Sequence, residues 1–280
     1  MTQLAAPRKT TAGRNLPAAV TVGVLLLVVV AASLFIRKEA FAVFAVVAVG
    51  AAMWELAQAF TRRSIQLPLV PLVVGSAGIL VSAYVAGTEA LFVAFLLTVG
   101  GAVVWRVLDG SGEAALRDAS AAAFAAAYLP FLGGFVMLML AEPDGPARVA
   151  LFILLAVACD TGGYVVGTLL GRHPLAPSVS PKKSWEGLVG SVVLTSVVGV
   201  VGVQTVFHGD PIVGALLGVG TVASATLGDL AESMLKRDLE LKDMGRVLPG
   251  HGGVLDRLDS LLLSAPTVWV LLSVLQPAAG

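Results

Sequence analysis

Acidic and basic side chains crowd into one short region of a chain that otherwise has few of them. Asp229 and Glu232 stand in LGDLAESMLKR, Asp256 and Asp259 in VLDRLDS, and between them lie Lys236, Arg237, Lys242, Arg246, His251 and Arg257 around the turn PGHGG. Asp256 and Asp259 are three residues apart, so on a helix they share one face. Carboxylates converging from two helix ends, Asp229 with Asp256 and Asp259, suit a hard divalent cation such as Mg2+, which keeps water or substrate phosphates in its shell. The cationic groups can neutralise phosphate oxygens, and glycines such as Gly252 and Gly253 let backbone N–H groups approach an anion. Together these point to a polyphosphate substrate handled with magnesium.

Each part also has a plainer reading. Asp256 and Asp259 can cap a helix N-terminus. Asp229 and Glu232 sit at a helix C-terminus, where the dipole disfavours negative charge, and either a cation or the nearby Lys236 and Arg237 can offset it. A basic loop also serves topology and lipid headgroups, although that does not account for glycines and aspartates interleaved with the charges. Asp160, in ACDTGGYVVG, falls near the middle of an apolar run, where an ionised carboxylate costs at least ~2.5–3.5 kcal/mol unless it faces a polar interior. It serves either as a hydrogen-bond partner of a neighbouring helix or as a group in a cation or substrate cavity. In SVSPKKSWEG, Lys182 and Lys183 read as markers of the cytoplasmic side and Trp185 as an interfacial anchor. Glu55 is expected near a helix end within reach of the headgroups, as a snorkelling or paired surface carboxylate.

The elements that hold these residues are membrane spans. The chain has 280 residues, 57% hydrophobic and only 13% charged, against about 25% charged in ordinary soluble domains. Apolar runs recur at roughly 17–36, 40–60, 66–86, 89–108, 119–141, 147–170, 186–207, 211–232 and 258–276. Runs this long satisfy their backbone as helices in hydrocarbon. The expected fold is an all-α polytopic bundle of nine transmembrane helices. It divides into a basic tail (1–16), N-terminal helices (17–145) and a C-terminal region with the chemistry (146–280). The first run is too long for a typical cleaved leader and is read as a retained helix. With the N-terminus cytoplasmic, fifteen of the eighteen lysines and arginines fall on the cytoplasmic side and only Arg37, Lys38 and Arg148 on the other, as the positive-inside rule requires. The single cysteine, Cys159, allows no intrachain disulfide. Zero formal net charge gives no sign of a nucleic-acid partner. Small residues at four-residue spacing, Gly163, Gly167 and Gly171, and Gly214 and Gly218, predict close helix packing.

From Ser233 to Asp259 the chain resembles the signature of the phosphatidate cytidylyltransferases, or CDP-diacylglycerol synthases. Ser233, Leu235, Lys236 and Arg237 open it, then come Lys242, Asp243 and Gly245, and then Leu248, Pro249, His251, Gly252, Gly253, Val254, Asp256, Arg257, Leu258 and Asp259. SPKKSWEG and CDTGGYVVG are similar to family segments as well. Glu240 stands where the family often has glycine, and Arg246 where a smaller residue is common. The resemblance implies that CTP and phosphatidic acid give CDP-diacylglycerol and pyrophosphate. It implies cation ligation by Asp229, Asp256 and Asp259, with Mg2+ and a second, monovalent ion (K+). Lys236, Arg237, Lys242 and Arg257 would contact phosphates, and His251, Gly252 and Gly253 would shape the turn. Ser180, Lys182 and Lys183 would contact nucleotide or headgroup. Apart from the resemblance, Asp160 and Glu232 are candidate cavity residues from their place in the spans. The expected setting is a multi-pass homodimer in the inner (plasma) membrane, its active site facing the cytoplasm. Two other readings are a CTP-dependent lipid kinase and an ion-coupled transporter using Asp160 and Asp229.

Overall fold

A computed structural model describes residues 16–245, 247 and 252–276. Of the candidate residues, Arg246 and His251 lie outside this set, as do most of the basic tail and the last four residues. The described chain is a helical bundle: α1 (Leu16–Ile36), α2 (Lys38–Thr61), α3 (Leu69–Asp109), α4 (Glu113–Ala126), a π-helical turn (Ala127–Phe131), α5 (Leu132–Ala141), α6 (Gly145–Leu170), α7 (Trp185–Val206), α8 (Pro211–Asp238) and α9 (Leu255–Leu275). Among the described residues, seven helical segments are long and apolar enough to cross a membrane. The expected fifth span is continuous from Glu113 to Ala141. It contains the π-helical turn at Pro130, whose missing N–H disturbs the regular ladder.

The expected third and fourth spans form the single element α3, interrupted at Gly87, whose φ of 79° is in the region that favours glycine. Gly75 packs against the side chain of Thr98. Those positions would be about 35 Å apart on a straight helix, so the chain doubles back at Gly87. A count of nine crossings requires both arms of α3, and α1, each to traverse the bilayer.

Helices α6, α7, α8 and α9 pack in sequence along seams of small residues. A Cβ on Gly162 would lie 2.5 Å from the carbonyl oxygen of Gly190, and one on Gly163 would lie 2.7 Å from Ser191 Oγ. Gly214 packs on Gly199 and Val200, Gly218 on Ser196, and Gly228 on the backbone of Asp259. The spacing predicted this, and it has a consequence for the site. Backbones this close bring α6, α8 and α9, each with a carboxylate, to within side-chain reach at one end of the bundle.

That end also holds an element the sequence reading did not anticipate. Pro174–Ala176 (β1) and Ser180–Ser184 (β2) pair as an antiparallel hairpin between α6 and α7. Glu186 in the first turn of α7 accepts from the backbone N–H groups of Arg172 (3.1 Å) and His173 (3.2 Å) and meets His173 Nδ1 at 2.6 Å. Ser184 accepts from the N–H of Gly187 as the α7 N-cap. The opposite end gathers Lys38, bonded to the carbonyls of Ala141 and Glu142, and buried Arg148, paired with Asp144 at 2.6 Å and donating to the Gln276 carbonyl.

Candidate active site

Three segments meet at the hairpin end of the bundle. A cleft of about 330 Å³ is lined by Asp160 and Tyr164 from α6, Ser180, Lys182 and Lys183 from β2, and Asp229 from α8, among others. Asp160 is an exposed residue lining it, so the carboxylate that looked costly in mid-span has Lys183 and Asp229 in the same cleft. It lies in electrostatic range of Asp229, Asp259, Lys183 and Arg257. Lys183 Nζ sits 2.5 Å from Asp229 Oδ2, which ties the hairpin to α8 across the cleft. Arg237 reaches the backbone carbonyl of Ser178 at the hairpin tip, a second tie between the same two elements. Lys242 and Arg257 are exposed.

The expected convergence of three carboxylates takes a different form. Asp229 and Glu232 each lie in electrostatic range of Asp259, and buried Tyr128 on the π-helical turn lies in electrostatic range of all three. Asp256 instead turns into the loop. It is 8% exposed and accepts from the N–H of Gly253 (2.7 Å) and of Met244 (3.0 and 3.2 Å). Lys236 Nζ completes its shell at 2.6 Å and holds Glu232 at 2.8 Å. Lys236 therefore bridges two buried carboxylates rather than pointing into the cleft. The reason is burial: an ionised group without water needs N–H or cationic partners, and the loop backbone supplies them. Among the described residues, no three acidic, thiol or imidazole groups lie close enough together to hold a metal ion.

Glu55 corrects the sequence reading most sharply. It is 1% exposed, not a snorkelling or surface carboxylate. Its Oε2 accepts the backbone N–H of Leu255, 200 residues away, at 3.0 Å. No local signal could have shown this; only its position as a carboxylate well inside an early span set it apart. Nor did the sequence single out Tyr128, whose hydroxyl has no partner among the described residues.

The loop's remaining features follow from its backbone. Gly252 has a φ of 86°, and a Cβ there would crowd Asp256 Oδ2 at 3.0 Å. Glu240 has a φ of 56°, which explains why glycine is common at that position among the proteins this signature resembles. Here Arg63 holds the strained residue, pairing with its carboxylate at 2.8 Å and donating to the Asp238 carbonyl at 2.7 and 3.0 Å.

A family model described as "Cytidylyltransferase family" matches residues 17–275. The chain belongs to the cytidylyltransferase family. It is 39% identical over 279 residues to a phosphatidate cytidylyltransferase of Mycobacterium leprae (strain TN), covering 94% of this chain and 89% of that protein. It is 36% identical over 277 residues to the protein of that name in Mycobacterium bovis (strain ATCC BAA-935 / AF2122/97), covering 94% and 90%. A shorter stretch of 150 residues is 41% identical to the Haemophilus influenzae protein of that name, covering 49% and 51%. The match to the cytidylyltransferase family includes α2 as well as the signature, so the helix carrying Glu55 and Arg63 lies inside the family's extent.

Proposed function

We infer that the chain is a phosphatidate cytidylyltransferase, converting CTP and phosphatidic acid to CDP-diacylglycerol and pyrophosphate. Besides family membership, the observation that carries this reading is the cleft. In it Lys182 and Lys183 from the hairpin accompany Asp160 and Asp229 from two helices, in electrostatic range of the signature's Arg257 and Asp259 and within an apolar bundle. A nucleotide can come from water and a lipid phosphate from the leaflet at such a place.

The chemistry needs no side-chain nucleophile. An oxygen of the lipid phosphate forms a bond to the α-phosphorus of CTP, the bond from that phosphorus to the oxygen bridging to the β-phosphorus breaks, and pyrophosphate leaves. What the chain supplies is position and charge. Lys182, Lys183 and Ser180 line the place where phosphate oxygens would lie. Lys183, bound to Asp229 here, would exchange that carboxylate for a phosphate, freeing Asp229. Arg257, Lys242 and Arg237 are exposed around the same end and would meet the leaving pyrophosphate. Asp256 and Lys236 close the loop.

The donor set also fits Mg2+: Asp229 and Asp259 are hard oxygen donors on adjacent helices, in electrostatic range of each other and of Asp160, and this ion needs only one or two carboxylates plus substrate phosphates. When bound it would neutralise charge on the triphosphate. A second, monovalent cation such as K+ at the same acidic group is part of the proposal. So are a homodimer and a location in the inner (plasma) membrane with this end cytoplasmic, an orientation supported by the lysine and arginine bias.

The deciding experiment gives purified protein phosphatidic acid and CTP labelled either in the cytidine or in the γ-phosphate. Cytidine label in the lipid and γ label in pyrophosphate are expected. Release of CDP with γ label in the lipid would make the chain a lipid kinase.

A further inference from the structure

We infer that Glu55, on α2, is a positioning residue for the active site: it caps α9 from outside and, with Asp256, clasps the two ends of the signature loop. This builds on the proposed cytidylyl transfer and assigns work to the N-terminal half of the chain, which the mechanism otherwise leaves unused.

Helix α9 has no cap of its own. Its N-cap, Val254, has no side chain able to accept a hydrogen bond, so the first N–H groups of the helix need acceptors from elsewhere. Glu55 Oε2 takes the N–H of Leu255 at 3.0 Å, and a carboxylate there is also favoured by the helix dipole. Asp256 takes the N–H of Gly253 and of Met244 from the other side. Asp256 thus ties residue 244 to 253, and Glu55 holds residue 255 beside them.

The glycines at the clasp fit this account. A Cβ on Gly253 would fall 2.5 Å from Glu55 Oε2 and 2.7 Å from the nitrogen of Gly245, and one on Gly245 would collide with Glu55 Oε1. Glu55 therefore occupies the space that two signature glycines leave open. The same helix reaches the loop's other shoulder, since Arg63, just beyond the α2 C-terminus, holds Asp238 and Glu240. What α9 carries past this clasp is Asp256 and Asp259, so the angle at which α9 starts sets where the acidic group stands relative to Asp229. Displacements of about 1 Å at such a site can cost on the order of 100-fold in rate.

The test compares Glu55→Ala, Glu55→Gln and Glu55→Asp in the full chain in detergent micelles, by amide hydrogen exchange and by steady-state kinetics. In Glu55→Ala the amides of Met244, Gly253 and Leu255 are expected to exchange at least about tenfold faster. Its kcat should fall about 10- to 100-fold while the KM for CTP stays within about threefold. Glu55→Gln, which keeps an acceptor, should retain most of both. Unchanged exchange in Glu55→Ala, or a wild-type kcat, would overturn the inference. Should Glu55→Ala fail to fold, Glu55→Asp carries the test, since its shortened side chain should lose protection at Leu255 and full protection there would also overturn the inference. If wild-type protein transfers no cytidylyl group, the functional reading falls, while the exchange experiment still decides the role of Glu55.

Discussion

Replacing Asp256 with asparagine separates two roles that one signature carboxylate could have. In the structure both its oxygens are occupied by Met244 N, Gly253 N and Lys236 Nζ, between 2.6 and 3.2 Å. Asparagine turns one acceptor into a donor, so at least one of these donors is left facing another. A hydrogen bond to a charged group contributes about 1.5–3 kcal/mol, and breaking a buried pair from one side costs about 3–5 kcal/mol. Lys236 keeps Glu232 at 2.8 Å, which limits the second loss, and ~3 kcal/mol is a fair figure for the closed loop. With 1.4 kcal/mol per factor of ten, that weakens the hold on Met244 and Gly253 roughly 100-fold, and kcat should fall by up to about that factor. The assay is initial-rate CDP-diacylglycerol synthesis over a magnesium titration, with membrane insertion checked in parallel. Raising magnesium should not rescue Asp256→Asn, because the lost partners are N–H groups and a lysine. Asp229→Asn and Asp259→Asn should instead move the magnesium midpoint upward. Restoration of Asp256→Asn to wild-type turnover by magnesium alone would refute the loop assignment and make Asp256 an ion ligand.

Lys183→Met removes the 2.5 Å pair to Asp229 and one positive charge from the cleft, so the KM for CTP should rise about tenfold or more in steady-state assays; an unchanged KM would take Lys183 off the nucleotide. Gly214→Val drives a side chain into the backbone of Gly199 and Val200, where a Cβ alone already meets atoms at 2.5 Å. It should destabilise the bundle by about 1–3 kcal/mol or more, seen as a lower Tm in detergent, whereas Gly78→Val, with no neighbour within 4 Å, should not.

Much of the site was legible because charge is expensive in this chain. An aspartate such as Asp160 in mid-span cannot be left unpaired in hydrocarbon, so its presence called for either a helix partner or a polar cavity, and the cleft that it lines contains Lys183 and Asp229 as well. The glycine spacing in α6 and α8 likewise foretold close backbones, because in lipid helices gain most by packing tightly. The turn at Gly87 was hidden, since two apolar arms read the same whether they are separate spans or one doubled element. The hairpin of Pro174–Ala176 and Ser180–Ser184 was hidden for another reason: SPKKS has neither alternation nor β-branched residues, and ties from Glu186, Lys183 and Arg237 help hold the hairpin.

The division of labour among the carboxylates was beyond the sequence on physical grounds. Asp256 and Asp259 are one turn apart, and helical periodicity says only that they share a face. Which of them looks into the loop and which toward Asp229 depends on where α9 begins and at what angle. That angle is fixed by an N–H at Leu255 whose acceptor lies 200 residues upstream. A carboxylate on α2 thus decides how a signature on α9 is read. In the pair Glu55 and Asp256, one side chain supplies the cap that helix α9 lacks and the other closes the loop before it, so loss of either should loosen the same amides. Combining Glu55→Ala with Asp256→Asn should therefore cost well under the sum of the two separate losses in loop protection, as expected for two groups holding one closure.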